Sequence, residues 1–216
     1  MTDSPLVPPA SDSGSEPDEA ARRHAEKMKR RKALQDRVIA GKTIEKGLLM
    51  VNTGNGKGKS TAAFGLIMRA VGHGMRVGVV QFIKGAWSTG EMVALERFDD
   101  LVDFYAMGEG FTWETQDRER DVAAARRAWE KAQAMMADPR YRLIVLDEMN
   151  IALRMGYLPV EEVLPVLAGR RSGLHVLVTG RTARPELVAA ADLVTEMTLV
   201  KHPFEAGVKA QPGIEF

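Results

Sequence analysis

The chain has 216 residues, no cysteine and a near balance of 30 Lys+Arg against 29 Asp+Glu, for a formal net charge of +1. The missing thiols exclude disulfides, thiolate catalysis and cysteine-based metal sites, which fits a cytoplasmic protein, and the balanced charge gives no global nucleic-acid signature. No apolar run approaches the roughly 18 residues of a membrane span, and the acidic, Ser/Pro-rich start Met1-Thr2-Asp3-Ser4-Pro5 does not read as a secretory signal.

Residues 1–18 are dominated by Pro, Ser, Asp and Glu and are expected to form a disordered tail. Residues 19–42 form a basic arm, with Arg22, Arg23, Lys27, Lys29, Arg30, Arg31, Lys32 and Arg37 among good helix formers. Such a segment reads as a solvated helix or as an arm that docks on a partner subunit or an anionic ligand. Residues 43–216 form the third part, an α/β domain.

Strand and helix patterns alternate from residue 47 onward. Gly47–Val51 is a short apolar run that ends in a glycine loop, and Ser60–Val71 follows with helical spacing. Strands are predicted at Arg76–Ile83, Leu101–Met107, Leu143–Leu146, His175–Thr179 and Leu193–Val200. Helices are predicted at Thr115–Ala137, capped by Thr112 or Thr115, at Glu161–Leu167 and at Glu186–Ala191. Continuous apolar strands separated by helices imply a mainly parallel sheet covered on both faces. In such a sheet ligands gather at the carboxyl ends of the strands. The glycine loop, Gln81-Phe82-Ile83-Lys84, Asp147-Glu148 and Thr179-Gly180-Arg181 all fall there.

The loop Val51-Asn52-Thr53-Gly54-Asn55-Gly56-Lys57-Gly58-Lys59-Ser60-Thr61 departs from G-x-x-x-x-G-K-[ST] only at Thr53, where the first glycine belongs. The departure is harmless if Thr53 still lies in the strand and the loop begins at Gly54. Glycines let the backbone curl and turn its N–H groups towards phosphate oxygens. The start of the following helix adds its positive end. Lys59 then supplies a point charge and Ser60 a hydroxyl that can ligate magnesium. The dinucleotide fingerprint G-x-G-x-x-G is not matched. Asp147 and Glu148 end an apolar strand, where one of them completes the oxygen shell of a divalent cation.

Loop and acids together identify a nucleoside triphosphate site without saying which bond breaks. Water attacking the γ-phosphorus gives an ATPase, which the loop and acids alone favour because Glu148 is placed like a water-activating base, and a substrate hydroxyl gives a kinase. An alkyl transferase instead attacks the ribose 5′-carbon, so that the loop stabilises a departing triphosphate. Phe111 and Trp113 lie in the glycine-bounded segment 107–116. They either fold into the core or form an apolar lid over a large flat ligand.

Five motifs in order resemble the ATP:corrinoid adenosyltransferases, and more narrowly the cob(I)yrinic acid a,c-diamide adenosyltransferases: TGNGKGKSTAAFG from Thr53, RAVGHGMRVGVVQFIKG from Arg69, GEGFTWETQ from Gly108, LDE from Leu146 with TGR from Thr179, and KHPFEAGVKAQPG from Lys201. The resemblance covers roughly residues 43–216. It implies a P-loop NTPase fold of the RecA type and a loop that begins at the residue matching Gly54. In that family ATP is held reversed in the loop. The Co(I) of a reduced corrinoid or cobalamin attacks its 5′-carbon and tripolyphosphate leaves.

On this resemblance Gly54, Asn55, Gly56, Lys57, Gly58, Lys59 and Ser60 hold the triphosphate, and Lys59 serves catalysis. Ser60 with Asp147 or Glu148 holds Mg²⁺ or Mn²⁺. Family members mostly carry Thr where Ser60 stands, which keeps the hydroxyl. Phe111 and Trp113 pack under the corrin, where excluding an axial donor raises the potential towards Co(I). Lys84 and Arg181 are expected to touch an anionic ligand, whereas Arg69 is either a surface charge or a phosphate contact. Trp87 and Tyr105 are expected in the core or at its rim, and the dispersed His24, His73, His175 and His202 suggest no metal site. The resemblance further implies a homodimer and an electron donor such as a flavoprotein, with no nucleic-acid or membrane partner. An ATPase and a non-catalytic corrinoid carrier are the alternatives.

Overall fold

A computed structural model describes residues 16–83, 89–108 and 117–214. The chain divides into two compact units at Glu45 and Lys46. The first contains one helix, α1 (Glu16–Ala40). It begins inside the span read as tail, where Pro17 takes a first-turn position whose missing N–H leaves no helical bond unmade. It closes through the N–H of Gly41 on the Arg37 carbonyl, and its described side chains are exposed.

The second unit is built on six parallel strands: β1 (Leu49–Thr53), β2 (Arg76–Gln81), β3 (Val102–Ala106), β4 (Tyr141–Asp147), β5 (His175–Thr179) and β6 (Leu193–Glu196). Their order across the sheet is β3-β2-β4-β5-β1-β6, and every pairing is parallel. The helices are α2 (Lys59–Gly72), α3 (Gly90–Leu95), α4 (Arg118–Ala137), α5 (Met149–Arg154), α6 (Val160–Ala168) and α7 (Pro185–Ala190).

The period of two along each strand explains why the sheet is covered twice. Leu49, Val51, Val80, Ile144, Leu146, Val176 and Val178 join one core with α4, α5, α6 and α7. The intervening Met50, Val79, Leu143, Val145 and Leu177 join the other with α2 and Leu95 of α3. Fully burying a Leu or Ile contributes about 1.5–3 kcal/mol. The side of α4 that meets the sheet is largely alanine, with Ala124, Ala125, Ala128 and Ala132 buried beside Trp129, and small residues let a helix lie close to the strands. Tyr105 packs at the rim of the first core, with the Lys131 ammonium 3.8 Å from its ring centroid.

Several predicted boundaries move. β2 ends at Gln81 because the Phe82 N–H turns to the Asp147 carbonyl, although Phe82 and Ile83 remain buried. Helix α4 starts at Arg118 under an Asp117 cap, whose carboxylate accepts the Arg120 N–H at 3.1 Å. The predicted caps Thr112 and Thr115 lie outside the described residues. β6 stops at Glu196, four residues short of the predicted Val200, because the chain then leaves β1 to pack on the glycine loop.

Candidate active site

The phosphate-type loop begins where β1 stops. Thr53 is still a strand residue. Its hydroxyl accepts the Ala183 N–H at 2.9 Å and its carbonyl accepts the Met197 N–H at 2.9 Å. Gly54 follows at φ 93°. A Cβ there would lie 2.3 Å from the Met197 carbonyl oxygen, and one on Gly56 would lie 2.5 Å from that of Thr198. The Gly56 N–H donates to the Met197 oxygen at 2.7 Å. The glycines are therefore needed for close contact with the strand-end segment 197–198 as well as for the curl itself.

Gly58, at φ 107°, caps α2 without a side-chain hydrogen bond. The first N–H groups of α2 thus open into the loop, the arrangement that binds anions. Lys59 is only 7% exposed. Its ammonium donates to the carbonyls of Gly54 at 2.8 Å and Gly56 at 2.5 Å. Burial lowers its pKa below the usual lysine value; the nearby Glu148 charge raises it and the Arg181 charge lowers it further.

Three elements deliver polar groups to Asp147, which is 1% exposed at the end of β4. The Ser60 hydroxyl, first turn of α2, donates to its Oδ1 at 2.8 Å. The Thr179 hydroxyl, end of β5, donates to the same oxygen at 2.7 Å. The Gln81 amide, end of β2, donates to Oδ2 at 2.8 Å. Glu148 sits in the left-handed region at φ 60° and ψ 16°, which costs a non-glycine residue about 1–2 kcal/mol. Nearby, the Asn150 amide donates to the Gly180 carbonyl at 2.9 Å and the Asn52 amide to the Lys59 carbonyl at 3.2 Å.

The structure thus joins Gly54, Gly56, Gly58, Lys59, Ser60, Asp147 and Glu148 in one place, with Asn55 and Lys57 on the loop's exposed side. Arg181 is exposed yet close enough for its charge to act on Lys59. Of the two readings open for Arg69, the structure favours the surface charge. The residue lies in the last turn of α2, about 15 Å along the helix from Lys59 at roughly 1.5 Å per residue. There it lines an apolar hollow with Leu48, His73, Met75 and His175. Lys84, Trp87, Phe111 and Trp113 lie outside the described residues. His202 accepts the Phe204 N–H at 3.1 Å and caps a short 3₁₀ turn.

The donor set fits a magnesium ion, which takes one or two carboxylates and fills its remaining positions with waters and phosphates. Ser60 and Asp147 are in mutual contact beside the open helix end. Among the described residues no group of three His, Cys, Asp or Glu assembles into an all-protein cage.

A parallel sheet with a lysine-bearing glycine loop after β1 and a buried acid at the end of β4 defines a P-loop nucleotide-binding protein of the α/β class. Residues 45–216 match the family described as ATP:corrinoid adenosyltransferase BtuR/CobO/CobP, and the chain belongs to that family. Residues 11–39 match the cob(I)alamin adenosyltransferase N-terminal family. A "Corrinoid adenosyltransferase" of Pseudomonas aeruginosa is 56% identical over 202 residues, covering 94% of this chain and 100% of the relative. One from Sinorhizobium sp is 56% identical over 196 residues, covering 90% and 92%. The "Corrinoid adenosyltransferase CobA" of Salmonella typhimurium is 48% identical over 192 residues, covering 88% and 97%.

Proposed function

We propose that this site holds ATP by its triphosphate and releases that triphosphate whole when the Co(I) of a reduced corrinoid attacks the ribose 5′-carbon. The chain is an enzyme of the ATP:corrinoid adenosyltransferase family, whose substrates are ATP and a corrinoid. In the proposed step the cobalt electron pair forms the Co–C5′ bond and cobalt goes formally from Co(I) to Co(III). The C5′–O bond breaks and its pair leaves with tripolyphosphate.

The residues act by charge and position. The N–H groups of Lys57 to Ser60 line the leaving group, and Lys59 exchanges its two carbonyl partners for phosphate oxygens. Ser60 and Asp147 hold a magnesium or manganese ion, with Glu148 beside them; the ion, when bound, neutralises charge on the leaving group. Arg181 adds a cation at the mouth. Phe111 and Trp113 keep the role that the family resemblance implies, an apolar wall below the corrin, and Lys84 keeps the anion contact expected of a cation at a strand end.

We further assign residues 19–42 as the basic arm, on a helix that reaches back to Glu16, the residues before it as a tail and 43–216 as the catalytic domain, in a cytoplasmic homodimer supplied with electrons by a donor such as a flavoprotein. Among the described residues no helix is long and apolar enough to cross a membrane.

The observation that carries the reading is the meeting of Lys59, Ser60 and Asp147 within the stretch that matches the family. Anaerobic turnover with ATP and chemically reduced corrinoid tests it. A light-sensitive Co–C product with stoichiometric tripolyphosphate supports adenosyl transfer. ADP with orthophosphate, and no organocobalt species, overturns it in favour of hydrolysis. A single substoichiometric turnover points to a carrier.

A further inference from the structure

Thr179 is fully buried, at 0% exposure, and ends the strand that lies between the loop strand β1 and the acid strand β4. Its hydroxyl makes two hydrogen bonds to consecutive residues. It donates to Asp147 Oδ1 at 2.7 Å and accepts the Glu148 N–H at 3.0 Å. A backbone N–H can only donate, so the hydroxyl must accept there and its single proton is committed to Asp147.

This fixes the directions of both Thr179 bonds. Ser60 also gives its proton to Asp147 Oδ1, which leaves the Ser60 lone pairs available to a cation. The Glu148 bond pins the left-handed bend that turns the chain from β4 into α5.

We propose that Thr179 is a positioning residue for the metal–triphosphate complex: its hydroxyl bonds both the Asp147 carboxylate and the Glu148 N–H, and so ties the acid and the bend together beside Ser60. The proposal rests on the reading of this loop as a metal–ATP site. It separates two contributions to nucleotide binding. Lys59 and the loop N–H groups hold triphosphate with or without a cation, whereas Thr179 acts only when the cation is present.

The experiment uses the full-length protein with Thr179→Val, which keeps the shape and removes the hydroxyl, and Thr179→Ser, which keeps the hydroxyl. Binding of a fluorescent ATP analogue is measured in EDTA and across a Mn²⁺ titration, with bound Mn²⁺ read independently by electron paramagnetic resonance. The valine variant is expected to raise the Mn²⁺ half-saturation by about 10–100-fold while EDTA binding stays within about 2-fold. The serine variant is expected to restore the wild-type midpoint to within about 3-fold. If the valine protein does not fold, Thr179→Cys, whose thiol is a weak donor, replaces it with the same expected direction.

An unchanged Mn²⁺ midpoint in the hydroxyl-free variant overturns the assignment. So does a serine variant as impaired as the valine one, since packing would then be the cause. A wild-type protein whose ATP binding ignores Mn²⁺ overturns the metal–ATP reading itself, and this inference with it.

Discussion

Ser60 and Asp147 lie 87 residues apart in the chain and 2.8 Å apart in the fold, hydroxyl to carboxylate. The contact joins the start of α2 to the end of β4 although β5 runs between β4 and β1. A hydroxyl beside the loop and a carboxylate across an intervening strand thus face one volume, which is where the leaving triphosphate is proposed to sit.

Lys59 makes two hydrogen bonds to its own loop, at 2.8 and 2.5 Å, and holds the loop closed around its ammonium. Lys59→Ala should lower ATP affinity about 100-fold, the loss expected from one or more charge-assisted hydrogen bonds. Calorimetric titration of ATP, with a circular-dichroism melt to establish that the variant is folded, checks this. Wild-type affinity in a folded variant would remove Lys59 from the site.

Gly54 and Gly58 have similar φ angles, 93° and 107°, but different surroundings. A Cβ on Gly54 meets the Met197 carbonyl at 2.3 Å, while one on Gly58 meets nothing within 4 Å. Gly58→Ala should cost only the backbone strain, about 1–2 kcal/mol. Gly54→Ala adds overpacking and should cost about 3 kcal/mol in all. Urea denaturation separates the two, and equal destabilisation would contradict the bracing of the loop by residues 197–198.

Burial lowers the His175 pKa, and the Arg142 and Arg170 charges lower it further; its Nδ1 accepts the Leu48 N–H at 3.2 Å. The folded state therefore binds fewer protons than the unfolded chain. Its stabilising contribution is complete above the unfolded value of about 6.5 and is lost as pH falls from there towards the folded value. The depressed carboxylates act lower: Asp138, held at about 2 by Arg140, loses its contribution only below the ordinary carboxylate range. Urea midpoints between pH 7.5 and 5.5 should fall in the wild type and flatten in His175→Gln. A variant with the wild-type slope would count against His175 as the source.

Trp113→Ala should leave ATP affinity within about 3-fold while suppressing four-coordinate Co(II) corrinoid, because an apolar wall that excludes axial donors raises the reduction potential. Magnetic circular dichroism of Co(II) corrinoid bound with ATP reads this directly. A normal four-coordinate signal would end the proposed role of the aromatic loop.

The parts legible in the sequence were those that local chemistry dictates. β5 was read at His175–Thr179 as found, and the loop was placed after Thr53, because apolar runs and glycine spacing carry their own signal. The six-residue helices Gly90–Leu95 and Met149–Arg154 were missed, although the equally short Pro185–Ala190 was read one residue late; with fewer than two turns the apolar period is a weak signal. Gln81 and Thr179 could be placed at strand ends, but not as joint supports of Asp147. Their partnership depends on strand order, and no spacing within the chain encodes which strands become neighbours. Arg69 was left open between a surface charge and a phosphate contact, and its place in the last turn of α2 favours the surface charge.

The glycine loop leans on Met197 and Thr198, through the bonds from Met197 N–H to Thr53 and from Gly56 N–H to Met197. These residues are made some 140 positions after the loop itself. A nascent chain halted before residue 197 has every residue of the phosphate grip except its brace. The loop's final shape therefore waits on the segment that follows the sixth strand, so the phosphate grip is among the last parts of the fold to be completed as the chain is made.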